Sequence, residues 1–308
     1  MSVVLITGAA TGIGNLTARS LAQDGHIVYA SMRNLASRNA NHANELLDMA
    51  QRDDVDMRVV ELDVQSQDSA DSAVKTILNA AGQLDVVVHN AGHLYFGYAE
   101  AFTAEDIARL FDINVIGLQR VNRAVLPHMR ERRSGTLIYV GSTSTISVPP
   151  FLGPYVASKA AFDALAHTTA YEVAHTTACE VAQFGIETTI VMPGAFTKGT
   201  EHYPNASRAS DEETTCAYAA LESMVARSEE AAEGLFRPDV DADPVSVARK
   251  ITDILALPVG AKPFRSVIDF TDAGVPELSV EAVNHAARRH HESFISRMGF
   301  GELLELRP

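Results

Sequence analysis

The chain has 308 residues, 46% hydrophobic and 21% charged, enough to bury a large core in one big α/β domain or two smaller ones. Its formal net charge of −14 argues against nucleic acid or an anionic membrane as partner. The two cysteines, Cys179 and Cys216, sit in no CxxC or metal-ligand pattern, so neither a disulfide scaffold nor a metal site is expected, and a reducing cytoplasm is the natural compartment.

The N-terminus passes almost directly into Val3-Val4-Leu5-Ile6, a short β-branched run that reads as a buried strand. No basic region precedes it, so no secretory leader is expected. No apolar run reaches the roughly 18 residues that a transmembrane helix needs. Thr7-Gly8-Ala9-Ala10-Thr11-Gly12-Ile13-Gly14 follows at once, and Leu16, Ala18, Leu21 and Ala22 then recur at helical spacing. Strand, glycine-rich turn and helix in that order let a pyrophosphate approach the helix N-terminus, where free N–H groups and the dipole favour anions.

A second strand is expected over 26–32. Dinucleotide sites that take NAD usually carry an acid near the end of this strand. Here the run ends Ser31-Met32-Arg33-Asn34. Arg33 suits a 2′-phosphate, which favours NADP(H) over NAD(H); the alternative is a solvated loop residue. A helix is expected over 43–50 and a third strand over 57–62, ending at Asp63-Val64. The Asp63 carboxylate either accepts from an adenine amino group or caps the next helix, expected over 69–81. A fourth strand over 84–89 ends in Asn90-Ala91-Gly92, small enough for the backbone to pass close to a cofactor.

A long helical pattern over 104–129 contains Asn114, either a surface residue or a satisfied polar group in the core. A fifth strand over 136–140 delivers Ser142. Tyr155 comes thirteen positions later and Lys159 four after that, one helical turn apart on a shared face. An ammonium beside a phenol favours phenolate and lowers the phenol from its ordinary value of about 10, making it a better general acid near neutral pH. The Ser142 hydroxyl would bind the same carbonyl oxygen. The helix from Tyr155 is expected to run to Phe184, with Gly185 ending it. A sixth strand over 186–192 ends in Pro193-Gly194, a helix covers 246–257, and 266–270 reads as a seventh strand. Such alternation predicts a parallel, doubly wound sheet of the Rossmann type, with ligands beyond the strands' C-terminal ends.

TGAATGIG, HNAG, Asn114, Ser142, Tyr155, Lys159 and Pro193-Gly194 stand in that order. The chain thereby resembles the short-chain dehydrogenase/reductase family, from about Val3 to Thr200 with a weaker trace beyond. The resemblance implies an NAD(P)-dependent oxidoreductase that interconverts a ketone and a secondary alcohol, assembled as a homodimer or homotetramer. On this resemblance Tyr155 is the general acid in reduction and base in oxidation. Lys159 lowers its pKa and binds the nicotinamide ribose. Ser142 orients the substrate oxygen, and Asn114 holds a water that links Lys159 to solvent. Gly8, Thr11, Gly12, Ile13 and Gly14 would line the pyrophosphate, Asp63 and Val64 the adenine, Asn90, Ala91 and Gly92 the ribose region, and Pro193 and Gly194 the nicotinamide end.

Three departures stand out. The usual Asn-Asn-Ala-Gly reads His89-Asn90-Ala91-Gly92. The threonine often found five residues after the proline is Lys198 here, flanked by Thr197 and Thr200, and Thr197 is taken as the carboxamide contact. Third, 166–173 reads AHTTAYEV and 174–181 reads AHTTACEV, adjacent copies that differ only at Tyr171 and Cys179. Eight extra residues in a continuous helix add about 12 Å and leave it roughly 80° beyond two full turns. The duplication is expected to alter oligomer packing or the nearby substrate cleft, or to be a neutral insertion, and not to touch Tyr155 and Lys159 upstream. His167 and His175, eight apart, lack the spacing that chelates a metal.

The whole of 1–308 is expected to form a single domain. Within it, 200–243 is polar and acidic, suited to a mobile lid or to a solvated helical hairpin. Residues 277–308 read as one amphipathic helix and a short end, with His285, His290 and His291 facing solvent. Leu94, Tyr95, Phe96, Ile146, Val148, Pro149, Phe151 and Phe196 near the site favour a small apolar or aromatic carbonyl or alcohol over a sugar. Two competing readings are a dinucleotide-binding redox sensor without turnover, which would tend to lose Tyr155 or Lys159, and an epimerase or dehydratase, whose further acid/base groups are not found.

Overall fold

A computed structural model describes residues 1–171, 184–237, 240–272, 274 and 278–300. The elements follow the alternation expected: β1 (Val3–Ile6), α1 (Gly12–Gln23), β2 (Ile27–Met32), α2 (Ala40–Asp53), β3 (Met57–Glu61), α3 (Gln67–Ala81) and β4 (Val86–His89). Next come α4 (Ala104–Phe111), α5 (Gly117–Arg132), β5 (Gly135–Val140), a short α6 (Ser144–Ser147), α7 (Gly153–Tyr171) and β6 (Ile186–Pro193). Three short helices α8 (Glu212–Ala217), α9 (Glu222–Ala226) and α10 (Ser228–Glu233) precede α11 (Val245–Ala256), β7 (Arg265–Ile268) and α12 (Val280–Ile295).

The seven strands form one parallel sheet in the order β3-β2-β1-β4-β5-β6-β7. Helices cover both faces, so β1, β4 and β5 are buried along their whole length and read as continuous apolar runs instead of alternating ones. One face packs Ala73 and Ile77 of α3, Val121 and Val125 of α5 and Phe162 of α7. The other packs Ala18 and Leu21 of α1, Leu46 of α2 and Val247 and Ile251 of α11. Buried Glu187 on β6 is matched by the Lys262 ammonium at 2.5 Å and the Gly260 N–H at 2.7 Å, as a charge out of water requires.

The sequence periodicity predicts one helix over 104–129; the structure divides it. A π turn, Asp112–Ile116, lies between α4 and α5. Arg120 bonds the Asp112 carboxylate at 2.6 Å and the Val64 carbonyl at 3.0 Å, fixing that wider turn against the end of β3. Helical spacing carries no signal for a π turn because its extra residue changes the period only locally.

α7 is described to Tyr171. Residues 172–183, with the end of the first repeat copy and the whole of the second, including His175 and Cys179, lie outside the described residues. So do 301–308 of the tail. On α12, His285 and His290 are exposed as expected. His291 is not: its ring lies 5.2 Å from that of His167 on α7, because α12 docks on this side of β6 and β7. Among the described residues no helix is long and apolar enough to cross a membrane.

Candidate active site

A cleft of about 1460 Å³ opens beyond the C-terminal ends of β1, β4, β5 and β6. This is where the strand order reverses, between β1 and β4, and where open parallel sheets bind ligands. Its floor at one end is the glycine turn. Gly8 has φ +67°, and a Cβ there would stand 2.8 Å from the Ala91 Cα. A Cβ on Gly14 would come within 2.5 Å of the Gly8 carbonyl and 2.4 Å of Asn90 Nδ2. Only glycine lets the turn press against the end of β4 in this way. Thr11 precedes α1 without a side-chain cap, so the first N–H groups of a twelve-residue helix stay open to the cleft. Thr11, Gly12 and Ile13 line it; Gly14 lies behind.

Thr7, which sequence reasoning did not single out, ties this turn down. Its Oγ1 accepts the N–H groups of Asn90 and Ala91, both at 3.0 Å, and donates to the Val88 carbonyl at 3.3 Å. The Asn90 amide donates to the carbonyls of Thr7 and Gly8, both at 3.0 Å. Its side chain is therefore a strut for the glycine turn, while Asn90, Ala91 and Gly92 form the cleft wall.

At the far end Arg33 follows β2, donating to Gln65 Oε1 at 3.3 Å. Arg38 and His42 line the same lobe. Sequence reasoning missed Arg38, five residues beyond in a polar run without periodicity. Of the two roles open to Asp63, the cap falls to Ser66, whose hydroxyl accepts the Ser69 N–H. Asp63 is left in the cleft wall, with Val64 beside it. Open helix N–H groups at the glycine turn, two arginines beyond it and a lysine at the opposite end fit a nicotinamide dinucleotide lying along the cleft.

At that opposite end α7 presents Tyr155, only 7% exposed, and Lys159, 6% exposed. The Lys159 ammonium donates to the Val140 carbonyl at 3.0 Å and lies 6.0 Å from the centre of the Tyr155 ring. Burial brings Lys159 down to about 8. The π turn aims buried Asn114 at the same place. Its Oδ1 accepts the His93 N–H at 2.8 Å, and its Nδ2 donates to the His93 carbonyl at 3.0 Å and Ser158 Oγ at 2.9 Å. A Cβ on Gly92 would stand 3.5 Å from Asn114 Oδ1 and 3.8 Å from Lys159 Nζ, so Gly92 leaves the space between them open. Ser142 Oγ accepts from Ser144 twice, from its hydroxyl at 2.8 Å and its N–H at 3.2 Å. Ser142 therefore has its own proton left to donate. Ser144 is another residue the sequence did not mark.

The expected direction of the Tyr155 shift is reversed. Burial pushes the phenol above its ordinary range, with a hydrogen bond from Ser142 acting the other way. Spacing along a helix put the ammonium beside the phenol, but it says nothing about how completely water is excluded there. The phenol is thus held protonated, a donor ready for a carbonyl oxygen.

Two further expectations change. Thr197 does not line the cleft; its hydroxyl donates to Glu233 at 3.3 Å, and Thr200 lines it instead, 3.8 Å from where a Gly12 Cβ would stand. The chain turns between them, which no local pattern reveals. Among the apolar residues, Ile146 packs into the core and Val148 is exposed, while Leu94, Tyr95, Phe96, Pro149, Phe151 and Phe196 do line the cleft.

Residues between Thr200 and Leu235 line the cleft, and the described part of this segment is tied down at Ser207 and Phe236. Ser207 pairs with the backbone around Tyr95, through Ser207 N–H to Leu94 at 2.9 Å and Phe96 N–H to Ser207 at 3.0 Å. Phe236 bridges to Thr271. Buried Asp106 adds a side-chain tie. Its carboxylate completes the capping box with Thr103 and also accepts the Ser210 N–H at 3.1 Å and hydroxyl at 2.6 Å, with Arg109 paired to it. Burial alone would raise this carboxyl, but the Ser210 and Thr103 bonds and the Arg109 charge outweigh it and hold it below the usual range. Its stabilising effect is present above the ordinary carboxyl value and is lost as pH falls through the lowered one. Asp106→Ala is expected to destabilise the fold by about 1–3 kcal/mol and to loosen the segment over the cleft. Thermal melting and limited proteolysis within 200–236 check this; unchanged cleavage would detach Asp106 from that role.

Residues 2–209 match the family described as short chain dehydrogenase. A 3-ketodihydrosphingosine reductase of Bacteroides thetaiotaomicron is 31% identical over 222 residues, 72% of this chain and 74% of that protein. Estradiol 17-beta-dehydrogenase 1 of Rattus norvegicus is 32% identical over 200 residues, which are 63% of this chain and 54% of its own length. A short-chain dehydrogenase from Streptomyces avermitilis superposes with a TM-score of 0.70 at 25% identity, covering 97% of each chain. An alcohol dehydrogenase from the archaeon Thermococcus sibiricus, complexed with 5-hydroxy-NADP, superposes with a TM-score of 0.65 at 25% identity over 87% of this chain and 96% of its own.

Proposed function

The chain belongs to the short-chain dehydrogenase family, whose members are nicotinamide-dependent oxidoreductases acting at CH–OH and C=O groups, and on that premise we propose that it is an NADP(H)-dependent ketoreductase for a bulky apolar ketone. One observation carries the reading: a buried phenol, Tyr155, faces the cleft with Ser142 and Lys159 around it. The bound dinucleotide supplies the hydride. Tyr155 Oη gives its proton to the carbonyl oxygen. Ser142, its lone pairs taken up by Ser144, donates its own proton to the same oxygen and fixes its position. Lys159 returns a proton toward Tyr155, and Asn114, across the gap at Gly92, would hold the water that links Lys159 to solvent. In alcohol oxidation each step reverses.

The substrate class rests on an apolar wall. Leu94, Phe96, Phe151 and Leu152 form one cluster beside Tyr155, and Tyr203 and Val225 join it from the segment above. A 3-ketodihydrosphingosine reductase and an estradiol dehydrogenase among the relatives accord with a large apolar carbonyl compound. We assign 200–243 the role of a lid over this wall, and place the enzyme in the cytoplasm as a homo-oligomer. NADPH consumption against a ketone panel graded in size tests the reading. Tight dinucleotide binding with no turnover of any ketone or alcohol would replace it with a sensor.

The NADP(H) preference rests on Arg33, with Arg38 beside it. Arg33→Ala is expected to raise the KM for NADPH about 10–100-fold, the worth of a charge-assisted bond to phosphate, and to leave that for NADH within about threefold. Equal changes for both cofactors would remove Arg33 from the phosphate.

A further inference from the structure

The phenol of Tyr155 has a neighbour that the chemistry above does not use. His202 Nε2 stands 3.3 Å from Tyr155 Oη, and the two rings meet edge to face with centroids 5.6 Å apart. His202 comes from the start of the lid segment, 47 positions further along the chain. The next residues of that segment hold it in place: Tyr203 packs against Phe96 at 6.1 Å, and Ser207 pairs with the backbone beyond β4.

The groups facing this pair come from several elements. Lys159 lies on α7, Ser142 follows β5, and His93 follows β4 with its Nε2 2.8 Å from Ser207 Oγ. Tyr203 lies beside His202, with Glu229 of α10 behind it. Burial first, and then the charge of Lys159 and the presence of His93, bring the imidazole down to about 4. His202 is therefore neutral near pH 7, with one N–H and one lone pair to offer.

The two ways of placing that proton have opposite consequences. With the lone pair on Nε2, the phenol would donate to the imidazole and withhold its proton from a substrate. With the proton on Nε2, the imidazole donates to the phenol oxygen and leaves the phenol proton free. The second arrangement also meets a need of the site. Once the phenol has given up its proton it is an anion out of water, and such an anion requires donors. Ser142 is engaged with the substrate oxygen, and the Lys159 ammonium, one N–H of which goes to the Val140 carbonyl at 3.0 Å, lies 6.0 Å from the centre of the phenol ring. His202 Nε2 stands within hydrogen-bond distance of the phenol oxygen, at 3.3 Å.

Taking Tyr155 as the acid, as above, we propose that His202 is a further catalytic residue, whose Nε2–H donates to Tyr155 Oη and stabilises the phenolate left when the proton moves to the carbonyl oxygen. The phenol O–H bond breaks and a new O–H bond forms on the substrate oxygen, which carries the electron pair displaced by hydride addition. The imidazole keeps its own proton at every stage. Because His202 belongs to the lid segment, the acid is complete only with that segment seated.

Two measurements on the full chain test this, one independent of turnover. Nitrogen-15 spectra of histidine-labelled protein, with His202 assigned by its loss in His202→Phe, are expected to show Nε2 protonated and the ring neutral at pH 7. A bare Nε2 overturns the proposal. This readout stands even if no ketone is turned over, in which case only the ketoreductase reading falls. The second is the pH profile of alcohol oxidation, which needs Tyr155 deprotonated. In His202→Phe its rising limb is expected to move up by roughly half to one pH unit, and the rate on that limb to fall about 3–10-fold, the effect of one neutral hydrogen bond. His202→Gln, whose amide N–H can occupy the Nε2 position, is expected to restore most of the shift. A limb that stays in place or moves down in His202→Phe overturns the proposal.

Discussion

Tyr155→Phe is expected to lower ketone reduction by a factor of about 10³ or more while dinucleotide affinity changes less than threefold. The substitution removes one oxygen and keeps the ring, so packing against Val156, Leu94 and Phe96 in the apolar cluster beside the cleft is preserved. The loss is that of the proton donor, and a positioned general acid contributes about 10²–10⁴ in rate. The upper part of that range applies here because the phenol is buried and no other side chain in contact with it replaces the donor. Ser142 holds its proton for the substrate oxygen, and His202 has a neutral ring held far from protonation. Single-turnover kinetics give the rate, and the quenching or enhancement of bound NADPH fluorescence gives the affinity. A variant that keeps a tenth of the wild-type rate would move the acid elsewhere in the cleft, with His93 the first residue to try.

Lys159→Met is expected to separate activity from stability. Turnover should fall about 10²-fold, since the variant loses the cation nearest the reacting phenol. Stability should rise. Burial lowers the Lys159 amine to about 8, against about 10.4 in an unfolded chain. The folded state therefore binds this proton less well than the unfolded state, and the charge opposes folding. That opposition is fully present below pH 8 and fades as pH rises from 8 to 10.4, where both states lose the proton. Its size is about 3 kcal/mol at most, reduced by the hydrogen bond to the Val140 carbonyl. Methionine fills a similar volume without the charge. At roughly 2–4 °C per kcal/mol for a chain of this length, the variant should melt several degrees higher at pH 7 and close to the wild type at pH 10.5. Melting the two proteins side by side cancels every other titrating group. A variant less stable at pH 7 would mean that the lysine holds α7 against β5 more firmly than its buried charge opposes it.

The two substitutions bear on one design. A phenol and an ammonium are both kept from water at the same end of the cleft, and each is driven toward its neutral form. Strained titratable groups of this kind are a feature of functional sites. The fold supports them with rigid elements: a sheet end, the first turn of α7 and the π turn that carries Asn114.

The order of residues alone specifies the sheet and the positions of the main site residues along the chain. Strands buried on both faces are largely apolar, so β1, β4 and β5 stand out as runs, and β1 through β6 are legible within two positions at their ends. The glycines at 8 and 14 are dictated by backbone contact, which leaves a mark in residue type. Tyr155 and Lys159 share a face because four positions make one helical turn. These are all local facts. Packing between distant segments sets the rest. Whether Thr197 or Thr200 meets the glycine turn depends on how the chain reverses after β6. That Asp63 is left in the cleft wall depends on Ser66 taking the cap, and the aim of Asn114 depends on a π turn held by Arg120. The sign of the Tyr155 shift depends on how completely the walls exclude water, and one hydrogen-bond partner of that phenol, His202, comes from 47 residues away. Burial is a sum over everything that packs around a group, and no window along the chain contains it.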